Sequence, residues 1–233
     1  MLISIVKALS YNNYMEIGSQ EIARVTGKPS TVRIEMKQTI PTQSSESVNS
    51  YTKIKVVRNE KEREAGLFVH KQFMDHESMA SFLNNNTILK ESGFPVPPTV
   101  REIVGKNELL ITDLTEGGKH IVFSVNEIQD NAVDIPFRIS NLSQVEDEIL
   151  RLGKKADEKG FVILEDAYFI VVDKQTKLAR VVLGDLGPQG FYSSVEDFYK
   201  TFPLLTGATS QSVERAKILI DTDLRFLHES KAS

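Results

Sequence analysis

One carboxylate in this 233-residue sequence stands where it could bind a metal ion. Asp185 follows an apolar run and lies between two glycines, Gly184 directly before it and Gly187 two residues later. A carboxylate on such a turn after a buried strand can reach into a cleft and bind Mg²⁺ through its oxygens. A polar turn that only ends a strand has the same pattern. Asp185 is therefore a candidate for either role.

Two lysines form a second group with a regular spacing. Residues 51–57 alternate between apolar and polar types, which is the period of a strand, so Lys53 and Lys55 fall on one strand face. Two ammonium groups placed in this way could bind an anionic group. Alternating lysines also protect an edge strand from pairing with another chain, so both interpretations stay open.

The first half of the chain, which must position these residues, is predicted to consist of strands around one helical segment. Residues 39–50 hold several serines and a proline and are predicted to form a flexible loop. Residues 60–90 have helical character, in one helix or two, with Met79, Phe82 and Leu83 on a shared buried face. Alternation and turn residues predict strands at 14–18, 22–26, 31–36, 51–57, 99–104 and 108–114, with turns at 18–21 and 105–107.

The second half is richer in helices. Ser143 and Glu146 have the spacing of a capping box, which predicts a helix that runs to Gly160. The remaining predicted elements are strands at 161–164, 169–172 and 179–183 and helices at 193–205 and 213–227. This order is not the regular strand–helix alternation of a doubly wound sheet, so it indicates an α+β protein.

Composition excludes several kinds of site and partner. The chain has no cysteine, which rules out disulfide bonds and thiolate metal sites. With 28 basic and 32 acidic residues, its net charge of −4 gives no global attraction to nucleic acid or to an anionic membrane. No apolar run approaches the roughly 18 residues that a membrane-spanning helix needs. The four histidines lack the spacing of a zinc site.

Four stretches occur in a suggestive order along residues 14–190. The first is a strand lysine ahead of a helical segment that carries Glu77, and the second is the junction Ser92-Gly-Phe-Pro-Val-Pro97. The third is the strand at 108–117, and the fourth is a hairpin at 169–187 that ends in Gly-Asp-Leu-Gly. In this order they resemble the protein-kinase superfamily, and more closely its atypical, aminoglycoside-phosphotransferase-like branch.

The resemblance implies a two-lobed kinase-like fold, with an antiparallel β N-lobe at 1–118 and a reduced helical C-lobe at 119–233. ATP and Mg²⁺ would bind in the cleft between the lobes. A lysine would contact the phosphates with Glu77, or its rival Glu64, as its partner, and residues 112–118 would form the hinge. The residues implied to bind nucleotide are Lys53, Lys55, Glu77, Thr112, Asp113 and Leu114, and the implied metal ligand is Asp185.

The sequence departs from the family pattern in two places. At the catalytic loop, Asp166 or Glu165 is the candidate base, with a solvated turn as the alternative interpretation. The family's metal-binding Asn falls on Phe169, which has no oxygen ligand. The glycine-rich loop corresponds to residues 16–25 and keeps only Gly18, although backbone amides approach phosphates most closely at glycines.

These departures leave three hypotheses. The first is a kinase-like protein that binds ATP–Mg²⁺, with or without phosphotransferase activity. The second is an inactive pseudokinase scaffold that binds a protein partner, for example as a bacterial effector. The third is an unrelated α+β domain. Under the first two, we expect the protein in the cytoplasm or secreted into the cytosol of a host cell.

Overall fold

The computed structural model describes residues 14–22, 30–37, 42–43, 47–58, 61–103, 105–129, 135–187, 190–201 and 208–220, with side chains from Leu67 onward except those of Gln129, Tyr199, Thr201 and Ala208. Within these ranges the chain is an α+β protein made of antiparallel sheets and a few helices. None of the helices in these ranges is long and apolar enough to cross a lipid bilayer.

The elements alternate irregularly along the chain. The strands are β1 (Tyr14–Ile22), β2 (Ser30–Lys37), β3 (Thr42–Gln43), β4 (Ser47–Arg58), β5 (Lys61–Phe73), β6 (Val100–Glu102), β7 (Glu108–Thr112), β8 (His120–Ser124), β9 (Val162–Ile163), β10 (Tyr168–Asp173), β11 (Ala179–Leu183) and β12 (Phe191–Tyr192). The helices are α1 (His76–Glu91), α2 (Val125–Gln129), α3 (Leu142–Lys159), α4 (Val195–Thr201) and α5 (Ala208–Leu219). Residues Glu165–Ala167 form a single 3-10 turn.

The chain divides into two compact units. The first unit comprises Met1–Met74 and Arg101–Thr112, and the second comprises Asp75–Val100 and Asp113–Ser233. One crossing between them, from Thr112 to Asp113, lies inside the segment predicted to be a hinge. The division into an N-lobe at 1–118 and a C-lobe at 119–233 stays a prediction.

The first unit is built on a seven-stranded sheet in the order β1-β2-β4-β5-β7-β6, with β3 paired to β4. The long strands β4 and β5 form an antiparallel ladder from Arg58↔Lys61 to Ser47↔Phe73. Because β4 pairs with β2 on one side and β5 on the other, it is not an edge strand. The edge-protection interpretation of Lys53 and Lys55 is therefore wrong.

Strand β5 overturns part of the helix predicted at 60–90. Charged residues at the start of this segment favour a helix locally, but β5 pairs with β4 on one edge and β7 on the other. Pairing on both edges satisfies the backbone and outweighs a weak local propensity. The helix α1 begins only at His76, where the Asp75 carboxylate accepts a hydrogen bond of 2.7 Å from the amide of Ser78.

Two more predictions near the start of the chain are wrong. The turn expected at 18–21 is part of the continuous strand β1, whose pairing with β2 is irregular only between Ile17 and Gln20. Of the glycine-rich loop expected at 16–25, residues 16–22 lie within β1, and residues 23–25 lie outside the described residues. The serine-rich loop expected at 39–50 is interrupted by β3, and β4 already begins at Ser47. The hairpin of β6 and β7 is confirmed, with Gly105 at a φ of 77°.

Helix α1 is one helix, which settles the alternative of two. The polar run Asn84-Asn-Asn86 does not interrupt the helix, because Asn85 and Asn86 belong to the buried face of α1. That face consists of Met79, Phe82, Asn85, Asn86 and Leu89. Leu83, which was predicted to be buried, is only half-buried.

Helix α3 begins one residue before the predicted capping box, so the capping-box prediction is wrong. Asn141 occupies the N-cap position, but its side chain caps no backbone amide of the helix and pairs instead with the main chain of Ala179. Its Nδ2 donates to the Ala179 carbonyl at 2.8 Å, and its Oδ1 accepts from the Ala179 amide at 2.7 Å. The predicted end is confirmed, with Gly160 in the left-handed region at a φ of 69°.

The second unit has two small sheets, one in the order β11-β10-β8 and one that pairs β9 with β12. Strands β10 and β11 confirm the predicted hairpin, and α3 lies against β11. The buried apolar residues of these three elements include Val145, Ile149, Leu152, Ile170, Val172, Val182 and Leu183.

Helices α4 and α5 are present within the described residues, but they begin at other residues than predicted. The Ser194 hydroxyl accepts hydrogen bonds from the amides of Glu196 and Asp197 and so begins α4. Helix α5 starts at Ala208 rather than at residue 213. The predicted ends of both helices, 202–205 and 221–227, lie outside the described residues.

Candidate functional site

Two turns of the second unit are held side by side by the strands that they connect. The 3-10 turn Glu165–Ala167 leads from β9 to β10, and residues 184–190 lead from β11 towards β12. Strands β10 and β11 form one ladder, and strands β9 and β12 form another. Each of the two turns runs from a strand of one ladder to a strand of the other. Each ladder gains one further bond, from the Gly184 amide to the Ala167 carbonyl and from the Leu164 amide to the Gly190 carbonyl, both at 2.9 Å. The topology therefore places Asp166 and Asp185 on neighbouring turns.

The turn that carries Asp185 is closed by its own backbone. One Asp185 carboxylate oxygen accepts from the Gly187 amide at 3.4 Å. The Gly187 carbonyl in turn accepts from the amides of Gly190 and Phe191 at 3.0 and 3.2 Å. Gly190 lies so close to the carbonyl oxygen of Asp185 that a Cβ there would overlap it. Backbone geometry therefore fixes the residue predicted to be the metal ligand.

Asp166 has a different environment on the neighbouring turn. Its Oδ1 is buried and has no hydrogen-bond partner among the described residues. Burial, then the negative charges of Glu165 and Asp185, raise the pKa of Asp166 above its ordinary value of 3.8, and Arg215 acts in the opposite sense. A carboxylate with a raised pKa is better suited to accept a proton near neutral pH than an ordinary aspartate.

Glu165, the other candidate base, is engaged in an ion pair. Its Oε1 lies 2.9 Å from Nη1 of Arg215 on α5. Helix α5 also contacts the strand that enters the turn, since the Thr209 hydroxyl lies 3.4 Å from both the Ile163 amide and the Phe161 carbonyl. Of the two adjacent acids, Asp166 is therefore the one better placed to accept a proton.

Phe169 is the residue that the resemblance found in the sequence aligns with a metal-binding Asn. It lies on β10 opposite Val182 of β11 and Ser124 of β8. Its ring packs against Gly184, where an added Cβ would come within 2.6 Å of Phe169 Cδ2. An aromatic ring therefore packs beside the turn at this position, and it brings no oxygen ligand.

Helix α1 reaches the Asp185 turn through a buried side chain that the sequence analysis did not single out. Asn85 is 7% exposed, and its Nδ2 donates to the Leu186 carbonyl at 2.8 Å. The signal in the sequence was the polar run Asn84-Asn-Asn86 inside a helix with buried apolar residues on either side of it. A buried amide on such a helix is expected to have a specific partner.

Asp113, predicted to bind nucleotide, has a structural role within its own loop. It is 3% exposed, and its carboxylate accepts from the Thr115 amide and hydroxyl at 2.8 and 2.7 Å and from the Gly117 amide at 3.1 Å. The next residue, Leu114, has its carbonyl 3.0 Å from Nδ1 of His120. This loop is therefore ordered by its own hydrogen bonds.

The remaining predicted residues of the first unit lie in its sheet. Lys53 is opposite Glu35 and Leu67 in the strand register, and Lys55 is opposite Arg33 and Glu64. Thr112 ends β7, opposite Phe68 of β5. These are positions in the backbone, and they leave the proposed role of each side chain untested.

The strand that directly precedes α1 is β5, not the strand that carries Lys53 and Lys55. The criterion implied by the resemblance, a strand lysine just before a helix, therefore selects Lys71. Its Nζ lies 5.3 Å from the ring centroid of Phe73 on the same strand. Phe68, Val69 and Phe73, whose residue types favour strands, could have indicated this strand. Glu77 is exposed in the first turn of α1.

Among the described residues, no three His, Asp or Glu side chains converge closely enough to hold a metal ion by themselves. Mg²⁺ in nucleotide sites is commonly held by one or two carboxylates, with phosphate and water oxygens completing its coordination. Asp185 fits that weaker requirement as a single carboxylate ligand, and the buried Oδ1 of the neighbouring Asp166 has no hydrogen-bond partner among the described residues, so it is free to accept a proton.

Comparison with known proteins finds similarity in structure but not in sequence. No protein-family model matches the chain, and no curated protein matches its sequence significantly. The fold is weakly similar to the crystal structure of the Helicobacter pylori proinflammatory kinase CtkA. The TM-score is 0.39 at 7% sequence identity, over 84% of this chain and 95% of that chain. A similarity of this size carries no weight for function, which the residues of this chain must decide.

Proposed function

We propose that this chain is a kinase-like protein that binds ATP–Mg²⁺, with Asp185 as a magnesium ligand and Asp166 as the base of a phosphoryl transfer. The observation that carries the proposal is the pair of neighbouring turns that bridge the same two strand ladders and bear these two carboxylates. Phosphoryl transfer requires little covalent chemistry from the protein, but it requires a carboxylate for the metal and one for the nucleophile.

The two acids are suited to different tasks. Asp166 has a raised pKa and an unpaired oxygen, which favour accepting the proton of an acceptor hydroxyl. Asp185 lies on a turn closed by backbone hydrogen bonds, which favours holding a cation in a fixed place. In the proposed reaction the γ-phosphoryl group passes to the acceptor oxygen, ADP is the leaving group, and the proton moves to Asp166.

Binding is tested first by the change in melting temperature that ATP and Mg²⁺ cause. A ligand at a hundred times its dissociation constant stabilises the folded state by about 2.7 kcal/mol, which is readily measured. We expect a clear shift for the wild type, loss of its Mg²⁺-dependent part in Asp185→Asn, and an unchanged shift in Asp147→Asn, an exposed aspartate on α3. An equal shift for wild type and Asp185→Asn would contradict the metal-ligand role.

The contribution of a lysine is tested in the same assay. Lys71→Met, Lys53→Met and Lys55→Met remove one ammonium group each. Since only β5 directly precedes α1, we expect Lys71→Met to weaken ATP binding most. If Lys53→Met or Lys55→Met has the larger effect, the lysine predicted from the sequence is correct and Lys71 is not.

Transfer itself is tested by following ADP release and phosphate incorporation. A positioned base contributes typically 10²–10⁴-fold to the rate, so Asp166→Asn should lower kcat by roughly that factor with little change in ATP binding. Glu165→Gln should have a much smaller effect, because Glu165 is paired with Arg215.

One observation favours the second candidate, an inactive scaffold that binds a protein partner. The aromatic ring of Phe169 stands where the family has a metal-binding Asn, which removes one oxygen ligand. If the wild type binds ATP–Mg²⁺ but transfers no phosphate to water, to itself or to any offered acceptor, this candidate replaces the first. Phosphate transfer by a Phe169→Asn variant then tests whether adding an oxygen ligand for the metal at this position restores activity.

A further inference from the structure

Helix α1 and the segment after it contact the chain on both sides of Asp185. Before Asp185, the Leu183 amide donates to the Pro95 carbonyl at 2.7 Å. After Asp185, the Leu186 carbonyl accepts from Nδ2 of Asn85 at 2.8 Å. Two hydrogen bonds from residues 85–95 thus bracket the three peptide units around Asp185.

The bond from Asn85 is made where water cannot replace it. Asn85 is 7% exposed and Leu186 is fully buried at 0%. A buried carbonyl that loses its donor stays unsatisfied, and that is more costly than losing a hydrogen bond at the surface. The bond also joins residues 101 positions apart, so it is a tertiary contact and not part of a local turn.

We propose that Asn85 is a positioning residue, which holds the Asp185 turn in place through the Leu186 carbonyl and thereby fixes the Asp185 carboxylate. The meaning of that position for magnesium rests on the proposed function, but the hold on the turn does not. An amide is required at this position because its NH₂ group donates to a carbonyl. A carboxylate of the same shape would place two acceptors against each other.

The chain offers a matched control in the neighbouring asparagine. Asn84 is exposed on the same helix, so Asn84→Asp makes the same chemical change one residue away without touching Leu186. Asn85→Asp removes the donor and keeps the shape. Asn85→Ala serves as the second variant if Asn85→Asp does not fold, since it removes the donor without adding a buried charge.

Hydrogen exchange, measured without any ligand, tests the hold on the turn. The reporter amides are those of Gly187, Gly190 and Phe191, and the reference amides are those of Ile170 and Val171 in the centre of β10. In the Asn85 variants we expect the reporter amides to exchange roughly tenfold faster relative to the reference amides, from the loss of one buried hydrogen bond. Asn84→Asp should leave the ratio unchanged.

Equal acceleration of the reporter and reference amides, or none in either, would overturn the proposal, since Asn85 would then only contribute to overall stability or to nothing measurable. The second readout is affinity for Mn²⁺–ATP, for which we expect a loss of about tenfold in the Asn85 variants and none in Asn84→Asp. Failure of the wild type to bind Mn²⁺–ATP would contradict the proposed function, while the exchange ratio would still decide whether Asn85 holds the turn.

Discussion

Nη1 of Arg215 lies 2.9 Å from Oε1 of Glu165, so the last described helix is joined to the residue just before Asp166. The pair is half open to solvent, with 52% of the Arg215 side chain and 21% of the Glu165 side chain exposed. Exposed ion pairs contribute little to stability, so the value of this pair lies in where it places charge. It directs the Glu165 carboxylate to α5 and sets a cation near Asp166.

Replacing Arg215 should therefore affect the pKa of Asp166 more than the free energy of unfolding. Arg215→Gln should lower the free energy of unfolding by only about 0.5 kcal/mol, as for other exposed pairs. It should also raise the pKa of Asp166 further, because Arg215 opposes the effects of burial and of the neighbouring acids. Carboxyl-carbon NMR titration of Asp166 measures the second effect. Lys217→Gln, on the same helix, removes the same charge, and an equal response there would show that proximity is not the cause.

Asp166 should make the protein less stable as the pH rises. Burial, Glu165 and Asp185 raise its pKa in the folded state above the ordinary 3.8, so the folded chain holds this proton more tightly than the unfolded chain. Its contribution to stability is therefore lost as pH increases from about 4 through the folded-state pKa. Asp166→Asn should raise the free energy of unfolding at pH 7, with the gain disappearing below pH 4.

Urea unfolding of wild type and Asp166→Asn across pH 3–8 checks this sign. The exposed residue Asp147 on α3 supplies the control. The free energy of unfolding of Asp147→Asn, plotted against pH, should run parallel to that of the wild type. A gain in stability for Asp166→Asn that persists at pH 3 would show that the charge of Asp166 is not its origin.

Gly190 should tolerate substitution less well than Gly153. A Cβ at Gly190 would overlap the main-chain carbonyl of Asp185, whereas one at Gly153 would overlap a side-chain methyl of Val213. A side chain can move more easily than a closed turn. We expect Gly153→Ala to cost about 1–3 kcal/mol, the range for overpacked cores, and Gly190→Ala to cost more. Thermal unfolding measures both, and the reverse order would mean that the Asp185 turn is more adaptable than its hydrogen bonds suggest.

Asp113 should matter for stability whether or not ATP binds. Asp113→Ala removes a buried carboxylate that accepts from Thr115 and Gly117, which should cost about 2–3 kcal/mol. Asp173→Ala also removes a carboxylate that orders a turn, through Gln175 and Thr176, but that carboxylate is open to water and its loss should cost less. Calorimetry without nucleotide compares them. Equal losses would contradict the structural role given to Asp113.

Elements defined by local signals were predicted well from the sequence. Gly160 marks the end of α3 because only glycine enters the left-handed region without strain. The alternating apolar residues of β10 and β11 predict a hairpin because each strand carries its own period. Strand β5 was missed because its first residues favour a helix, and its partners β4 and β7 lie elsewhere in the chain.

The candidate site was predicted in part for the same reason. Asp166 and Asp185 were recognised as acids on turns. Their neighbouring placement follows from two strand pairings, of which the sequence predicted the β10–β11 hairpin but not the pairing of β9 with β12. The partners of these acids, Asn85 and Arg215, were not recognised. Neither belongs to a motif, and both reach the turns from helices whose packing only the folded chain reveals.

The position of α5 in the chain has a consequence for biosynthesis. Thr209 and Arg215 contact residues 161–165, so the helix that supports the acidic turn is translated after every strand of that turn. Until the ribosome has added α5, Glu165 has no ion pair with Arg215. Asp166 then also lacks the nearby positive charge of Arg215 that it has in the finished protein. The catalytic turn of the proposed enzyme would thus mature late, after the hairpin beside it can already have folded.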